Sequence, residues 1–143
     1  MKDCTISKYR KPGRRLLPAF AALFFLAIRP VWAAEGMAGQ WTCVIPEIFP
    51  HVIYTWRLDE NGRYREDGRD ALSGQPVQPT LSGHWSREGS RLVLRQDGIG
   101  YVFDGSVTAQ TYAGILYLDG ARVSRFCARR GAAPPERCDI PSV

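Results

Sequence analysis

The chain has 143 residues and a formal net charge of +5, but the charge is unevenly distributed. Residues 1–33 contain seven basic side chains and one acid, whereas residues 34–143 contain twelve arginines, no lysine and thirteen acids. The later part therefore lacks the basic stripe with which proteins neutralise nucleic-acid phosphates, and we expect no nucleic-acid partner.

The first 33 residues have the regions of a cleavable signal peptide. A basic segment precedes a mostly apolar run at 16–28, and Val31 and Ala33 occupy the −3 and −1 positions of a cleavage site. A membrane-spanning helix needs about 20 apolar residues, so removal after Ala33 is favoured over an anchor. We expect a mature protein that has no membrane span and is periplasmic or secreted.

The mature part has the length of one domain and the patterning of β-strands rather than helices. Short runs of β-branched and aromatic residues are separated by dipeptides that end in glycine, which favour tight hairpins. The turn dipeptides are Asn61-Gly62, Glu88-Gly89, Asp97-Gly98, Asp104-Gly105 and Asp119-Gly120. The predicted strands are 39–45, 52–58, 63–66, 80–87, 91–96, 101–104, 106–112, 114–118 and 121–128.

Many short strands joined by tight turns favour a closed sheet, because an open sheet leaves two unpaired edges. We predict an all-β domain at 34–130, a small up-and-down antiparallel β-barrel of eight or nine strands. A β-sandwich is the alternative. Residues 131–143, rich in proline and small residues, are predicted to form a C-terminal tail.

The first predicted strand opens with Gly39-Gln40-Trp41, and Gly-x-Trp in this position resembles the lipocalin-like, or calycin, group of small β-barrels. In that group the tryptophan closes one end of the barrel and packs beside an arginine from the last strand. The resemblance therefore implies a barrel closure that consists of Gly39, Trp41 and Arg125, with Arg129 as the other candidate arginine.

The chain is also similar in outline to periplasmic inhibitors of secreted metalloproteases, through Gly-x-Trp and the stretch from Trp85 to Leu94. Periplasmic inhibitors of lysozyme usually have a Ser-Gly-x-x-Tyr loop. The nearest match here, residues 97–101, contains the glycine and the tyrosine but no serine, so no inhibitory residue is assigned.

The connection between the first two predicted strands, 45–51, is apolar and is stiffened by two prolines. In an up-and-down barrel alternate connections share an end, which places it beside the longest connection, 67–79, and opposite the tight turns, Asp119-Gly120 included. Such a mouth is where binding is expected, unless Ile48 and Phe49 plug the core. The predicted ligand- or partner-binding residues are Ile48, Phe49, His51, Tyr54, Trp56 and Trp85.

No catalytic or metal-binding pattern is recognisable. His51 and His84 lie in no known motif, and alternation with Trp85 places His84 on the outside. The cysteines are too far apart for a zinc site, and we expect the acids within 59–70 to be solvated in turns. We predict no enzyme, no metal and no cofactor.

Three cysteines follow residue 33, and an oxidising compartment favours one disulfide. Cys43 with Cys127 is preferred, because the first and last strands of a closed barrel are antiparallel neighbours. Both pairings with Cys138 remain open, since Pro134-Pro135 could turn the tail back over the sheet.

The sequence thus favours a non-catalytic, lipocalin-like binding protein for a small apolar or amphipathic ligand. The alternative is a module that binds an envelope or secreted protein, such as an inhibitor of a protease or of lysozyme. Interior volume distinguishes the two, because a barrel filled by aromatic side chains has no room for a ligand.

Overall fold

The computed structural model describes residues 36–138, so the predicted signal peptide and cleavage site lie outside the described residues. The described strands are β1 (Gly39–Ile45), β2 (Phe49–Leu58), β3 (Arg63–Asp70), β4 (Leu81–Glu88), β5 (Arg91–Gln96), β6 (Tyr101–Val107), β7 (Thr111–Leu118) and β8 (Ala121–Arg130). Each strand pairs antiparallel with the next, and β1 also pairs with β8. The all-β, up-and-down barrel is confirmed, and the sandwich alternative is wrong because a single closed sheet surrounds the core.

Alternation along the strands determines which side chains enter the core. On β2, Tyr54, Trp56 and Leu58 are buried, while on β5 both Leu92 and Leu94 are fully buried. The side chains between them point outward or lie at the wall, as a two-residue period requires. These inward faces are the ones that the sequence pattern predicts.

The ninth predicted strand is absent because Asp104-Gly105 is not a turn. Strand β6 runs through both residues, and Gly105 lies opposite Gly114 of β7. A Cβ atom on Gly105 would lie 2.1 Å from the carbonyl oxygen of Ala113, so this glycine permits a close approach of two backbones. Asp104 forms an ion pair with Arg91 on the outer wall, at 2.6 Å.

One end of the barrel, which we call the closed end, is built around Trp41. The indole Nε1–H of Trp41 donates to the carbonyl of Met37 at 3.0 Å, and the guanidinium carbon of Arg130 lies 4.8 Å from the ring centroid. Arg130 also donates to the Ala38 carbonyl at 3.0 Å. Gly39 has a φ of 124°, a conformation suited to glycine, where the chain passes beneath Arg130.

The prediction that Arg125 packs in this closure is therefore wrong, because Arg130 occupies that place. Arg125 donates from Nε to Glu47 at 2.6 Å, beside the turn that precedes β2, which is at the other end of the barrel. Arg130 lies opposite Trp41 in the β1–β8 ladder, whereas Arg129 lies opposite Thr42. Register thus selects Arg130 as the last-strand arginine that packs on the tryptophan.

An aromatic cluster fills the barrel interior next to the closed end. The ring centroids of Trp56 and Phe103 are 4.8 Å apart, and those of Tyr112 and Phe126 are 4.7 Å apart, both in edge-on arrangements. The Tyr112 hydroxyl donates to the Phe103 carbonyl at 2.8 Å, so its buried oxygen has a partner. This part of the barrel is solid.

The disulfide joins Cys127 to Cys138, with 5.3 Å between the Cα atoms, and Cys43 is a buried free thiol. The preferred pairing, Cys43 with Cys127, is wrong because of register. Cys43 lies opposite Ala128, so it points inward, while Cys127 lies opposite Val44 and points to the outer face. Of the open alternatives, the one that staples the tail to the outside of β8 is present.

Residues 131–138 follow β8 without a further strand or helix. Their path begins at Gly131, whose carbonyl accepts a hydrogen bond from the Thr42 hydroxyl at 2.6 Å, and ends at Cys138. Within residues 36–138 no helix is long and apolar enough to cross a membrane.

Candidate functional site

The end of the barrel opposite Trp41, which we call the mouth, is formed by four connections. These are the turns 46–48, 97–100 and 119–120 and the long loop 71–80. The Asp119 amide donates to the Gly100 carbonyl at 3.1 Å, which joins two of the turns. The predicted placement of Asp119-Gly120 at the other end is wrong, because the false turn at Asp104-Gly105 reversed the direction of every later strand.

Two connections at the mouth are shorter than predicted because the strands beside them are longer. β2 begins at Phe49, so only three residues, 46–48, form the first turn. β3 continues to Asp70, beyond the predicted end at Glu66. The stiff apolar loop expected at 45–51 is therefore mostly strand, and Pro50 and His51 are exposed.

The loop 71–80 folds back along the C-terminal half of β3, near the mouth. The Val77 amide donates to the Gly68 carbonyl at 3.0 Å, and the Asp70 amide donates to the Gln75 carbonyl at 2.8 Å. The Asp70 carboxylate caps the bend by accepting from the Ser73 amide at 2.7 Å. These bonds place Val77 and Gln78 over the barrel interior.

A cavity of about 210 Å³ lies inside the mouth. Most of its lining is apolar or aromatic, and its charged or amide-bearing lining residues are Glu66, Gln78 and Gln96. The other lining residues are Ile45, Phe49, Val52, Tyr54, Val77, Leu81, Ile99, Tyr101, Phe103 and Leu116. Val77 and Ile99 are 45% and 40% exposed, so the cavity reaches the surface between the long loop and the turn 97–100.

The rim of the mouth carries exposed apolar side chains beside charged and polar ones. Among the described residues, the exposed large apolar side chains are Ile48, Leu72, Val77 and Ile99, and all four lie in its connections. Scattered apolar residues on a surface need no explanation, but a set confined to one end of a barrel makes that end a candidate binding surface.

Glu66 is the buried carboxyl of the cavity and is only 3% exposed. Its Oε2 accepts from the indole Nε1–H of Trp56 at 2.7 Å. Its Oε1 accepts from the side-chain amides of Gln78 at 2.9 Å and Gln96 at 3.2 Å. Within the described part of the chain, no basic side chain forms an ion pair with it.

Burial raises the pKa of the Glu66 carboxyl above its ordinary value, because removal from water disfavours the charged form. The three N–H donors stabilise the carboxylate and oppose this effect without cancelling it. Burial, and then the nearby charge of Glu66, also raise the pKa of the Tyr54 hydroxyl. The charged form of Glu66 is therefore destabilised at this position unless a positive charge lies beside it.

A second buried polar atom of the interior, the Tyr64 hydroxyl oxygen, lacks a hydrogen-bond partner among the described residues. Tyr64 precedes Glu66 by two residues on β3, so both side chains project into the interior. Burial, and secondarily the charge of Glu66, raise the pKa of Tyr64.

The structure distributes the predicted binding residues between different places. Phe49 and Tyr54 line the cavity, and Trp56 lies beneath it, where it donates to Glu66 and packs on Phe103. Ile48 lies on the rim and His51 on the outer side. Trp85 does not line the cavity; its indole N–H donates to the Asp59 carbonyl at 2.9 Å, in the turn that follows β2 at the closed end.

Sequence reasoning missed Glu66 and the two glutamines beside it. The expectation that the acids of 59–70 are solvated is wrong for Glu66. β3 continues past Glu66 to Asp70, and the Glu66 side chain faces the barrel interior. A usable signal was present: Arg63, Arg65, Asp67 and Arg69 are all charged and alternate with Tyr64, Glu66 and Gly68. Such alternation predicts a strand with Glu66 on the inner face.

The exposed wall carries a polar cluster around His84, which faces outward as predicted. Asp97 lies 3.2 Å from Nδ1 of His84, and Arg63 lies 2.6 Å from Nε2. The hydroxyl of Ser82 donates to Asp97 at 3.3 Å and makes no hydrogen bond to the histidine. Within residues 36–138 no group of three or more His, Cys, Asp or Glu side chains is arranged to hold a metal ion.

Comparison of the chain with known protein families, with curated proteins and with solved structures finds no match. The likeness to lipocalin-like proteins therefore stands on architecture: an eight-stranded closed antiparallel barrel with a tryptophan of the first strand packed under an arginine of the last.

Proposed function

We propose that the protein is a non-catalytic, lipocalin-like binding protein that holds a small amphipathic ligand in the mouth of the barrel. The observation that carries the proposal is the cavity of about 210 Å³, with apolar walls and a polar base. Pockets of this composition orient a ligand by a few polar contacts while apolar contacts supply most of the affinity.

The size of the cavity limits the ligand. An engineered apolar cavity of roughly 150 Å³ holds benzene, so the larger space here suits a molecule with one ring or a short alkyl chain. The solid aromatic cluster below the cavity prevents deeper entry. A long fatty acyl chain would have to leave most of its length outside.

A role outside the cytoplasm is part of this proposal. The Cys127–Cys138 disulfide supports an oxidising compartment, where such bonds persist. Together with the leader predicted at 1–33, it favours the periplasm or the exterior.

A titration with 2-phenylethanol, which has one ring and one hydroxyl, tests the proposal. We expect saturable binding by calorimetry and a rise in melting temperature. Val52→Phe places a ring in the cavity and should abolish binding. Val93→Phe is the matched control, because Val93 is half-buried on the outer wall and does not line this cavity. Equal binding by both variants would show that the probe binds elsewhere.

A second candidate function, the binding of an envelope or secreted protein, is favoured by the exposed apolar side chains of the rim. Leu72 is 89% exposed and does not line the cavity, so it is available to a protein partner but not to a small ligand. Inhibition of lysozyme or of a secreted metalloprotease that disappears in Leu72→Ser would support this candidate. Unchanged hydrolase activity in the presence of the wild-type protein would reject both inhibitor roles.

A further inference from the structure

The polar base of the cavity has a specific chemical character. Glu66 already accepts three hydrogen bonds, all from neutral groups, and a carboxylate offers about four acceptor positions. The side-chain carbonyl oxygens of Gln78 and Gln96 accept no hydrogen bond from the described residues, although both residues line the cavity. The base therefore presents acceptor oxygens to whatever enters.

A carboxyl in this position is difficult to explain as a structural element. A buried carboxylate without a cation is destabilising, and a glutamine could accept from the Trp56 indole without carrying a charge. Basic residues precede and follow Glu66 on β3, but Arg65 and Arg69 are exposed on the outer face. The chain thus places a carboxyl in the cavity, and within residues 36–138 no basic side chain pairs with it.

We propose that the ligand is a small primary or secondary amine that binds as its ammonium ion, with an N–H directed at Glu66 and its apolar part between Phe49, Val52 and Val77. This inference rests on the proposed function, whose ligand class it specifies. The ammonium provides the missing counter-charge and up to three donors, which match the free acceptor position of Glu66 and the carbonyl oxygens of the two glutamines.

Other ligand classes fit this base less well. A carboxylic acid would place a second negative charge beside Glu66, and like charges repel strongly where water is excluded. An alcohol can donate one hydrogen bond but leaves the charge of Glu66 uncompensated. An ammonium ion compensates the charge and uses the acceptors, so it gains most from the same apolar contacts.

Three probes distinguish these ligand classes: 2-phenylethylamine, 2-phenylethanol and phenylacetate. Each carries one phenyl ring on a two-carbon chain, and they differ only in the terminal amine, hydroxyl or carboxylate. We expect calorimetry to give an affinity for the amine at least about 10-fold above that for the alcohol, and none for the acid. Glu66→Gln should reduce the amine affinity to that of the alcohol. Glu60→Gln is the matched control, since Glu60 lies in the exposed turn at the closed end.

The wild-type protein offers a test that is independent of any variant. Acidification protonates Glu66, so the preference for the amine should disappear at low pH while binding of the alcohol is unchanged. Equal affinities for alcohol and amine at neutral pH, or an undiminished preference in Glu66→Gln, would overturn the amine inference but not the proposed function. If neither alcohol nor amine binds the wild-type protein, the proposed function fails, and the amine inference with it.

Discussion

Glu66 makes the stability of the free protein depend on pH. Because burial raises the pKa of Glu66 in the folded state above its ordinary value of 4.5, the unfolded chain loses this proton first as pH rises. The folded state is therefore favoured at low pH, and this advantage is lost as pH rises from the unfolded pKa to the folded pKa. Above the folded pKa the penalty is complete and constant.

We expect Glu66→Gln to remove this dependence. The variant should gain about 1.4 kcal/mol of unfolding free energy over the wild type for each pH unit between the two pKa values, and no more above them. Urea unfolding of both proteins at several pH values measures the difference. A wild-type stability that rises through this window relative to the variant would show that Glu66 is stabilised as a carboxylate.

The cysteines give a second expectation at the level of single residues. Cys43 is fully buried, and burial raises the pKa of its thiol well above the ordinary value, so the reactive thiolate is scarce in the folded protein. We expect iodoacetamide to label Cys43 only after unfolding, and peptide mapping without reduction to yield a linked pair from Cys127 and Cys138. A mapped bond that contains Cys43 would contradict the register of β1 and β8.

At the level of elements, β8 carries two arginines with different roles. Arg130 packs on Trp41 and donates to the Ala38 and Ala109 carbonyls, so it ties three segments together at the closed end. Arg125 makes an exposed ion pair with Glu47 at the mouth. Contacts made by a planar guanidinium over a ring are not reproduced by lysine.

We expect Arg130→Lys to destabilise the fold by about 1–3 kcal/mol, because it loses the planar stacking and the forked hydrogen bonds to two segments. Arg125→Lys on the same strand should change stability little, since exposed ion pairs contribute little. Denaturant unfolding of the two variants gives the comparison. Equal losses would mean that the closed end is not held by Arg130.

The same elements show what sequence reasoning can reach. Alternation on β2, and at the two leucines of β5, predicts which side chains face inward, because apolar residues repeat there with a two-residue period. The polar Gln96, which is buried at the next inner position of β5, gives no such signal. The predicted third strand ends at Glu66 because the residues that follow it, 67–70, are charged or glycine and show no apolar pattern. The burial of Glu66 itself depends on partners from other strands. Gly105 was misread because a glycine that permits close strand contact and one that permits a turn are identical in sequence.

At the level of the whole molecule, closure of the barrel followed from the number of hairpins, and the alternation of connections placed 45–51 and 67–79 at the same end, where the cavity lies. One false turn reversed the assignment of later connections to the two ends. The Cys127–Cys138 bond depended on a one-residue register between β1 and β8, which local patterns do not determine. The position of Glu66, the residue on which the proposed chemistry depends, required the three-dimensional neighbours Trp56, Gln78 and Gln96.

One end of the barrel is closed by the Trp41–Arg130 contact and the other contains the cavity, so the two ends can change independently in evolution. The Trp41–Arg130 contact and the Tyr112–Phe126 pair help to hold the fold together and do not line the cavity. Substitutions in the loop 71–80 or the turn 97–100 can therefore alter what the mouth accepts while the foundation of the barrel stays intact. Under the proposed function, selection or protein engineering can change the ligand through these connections without disturbing the packing that stabilises the barrel.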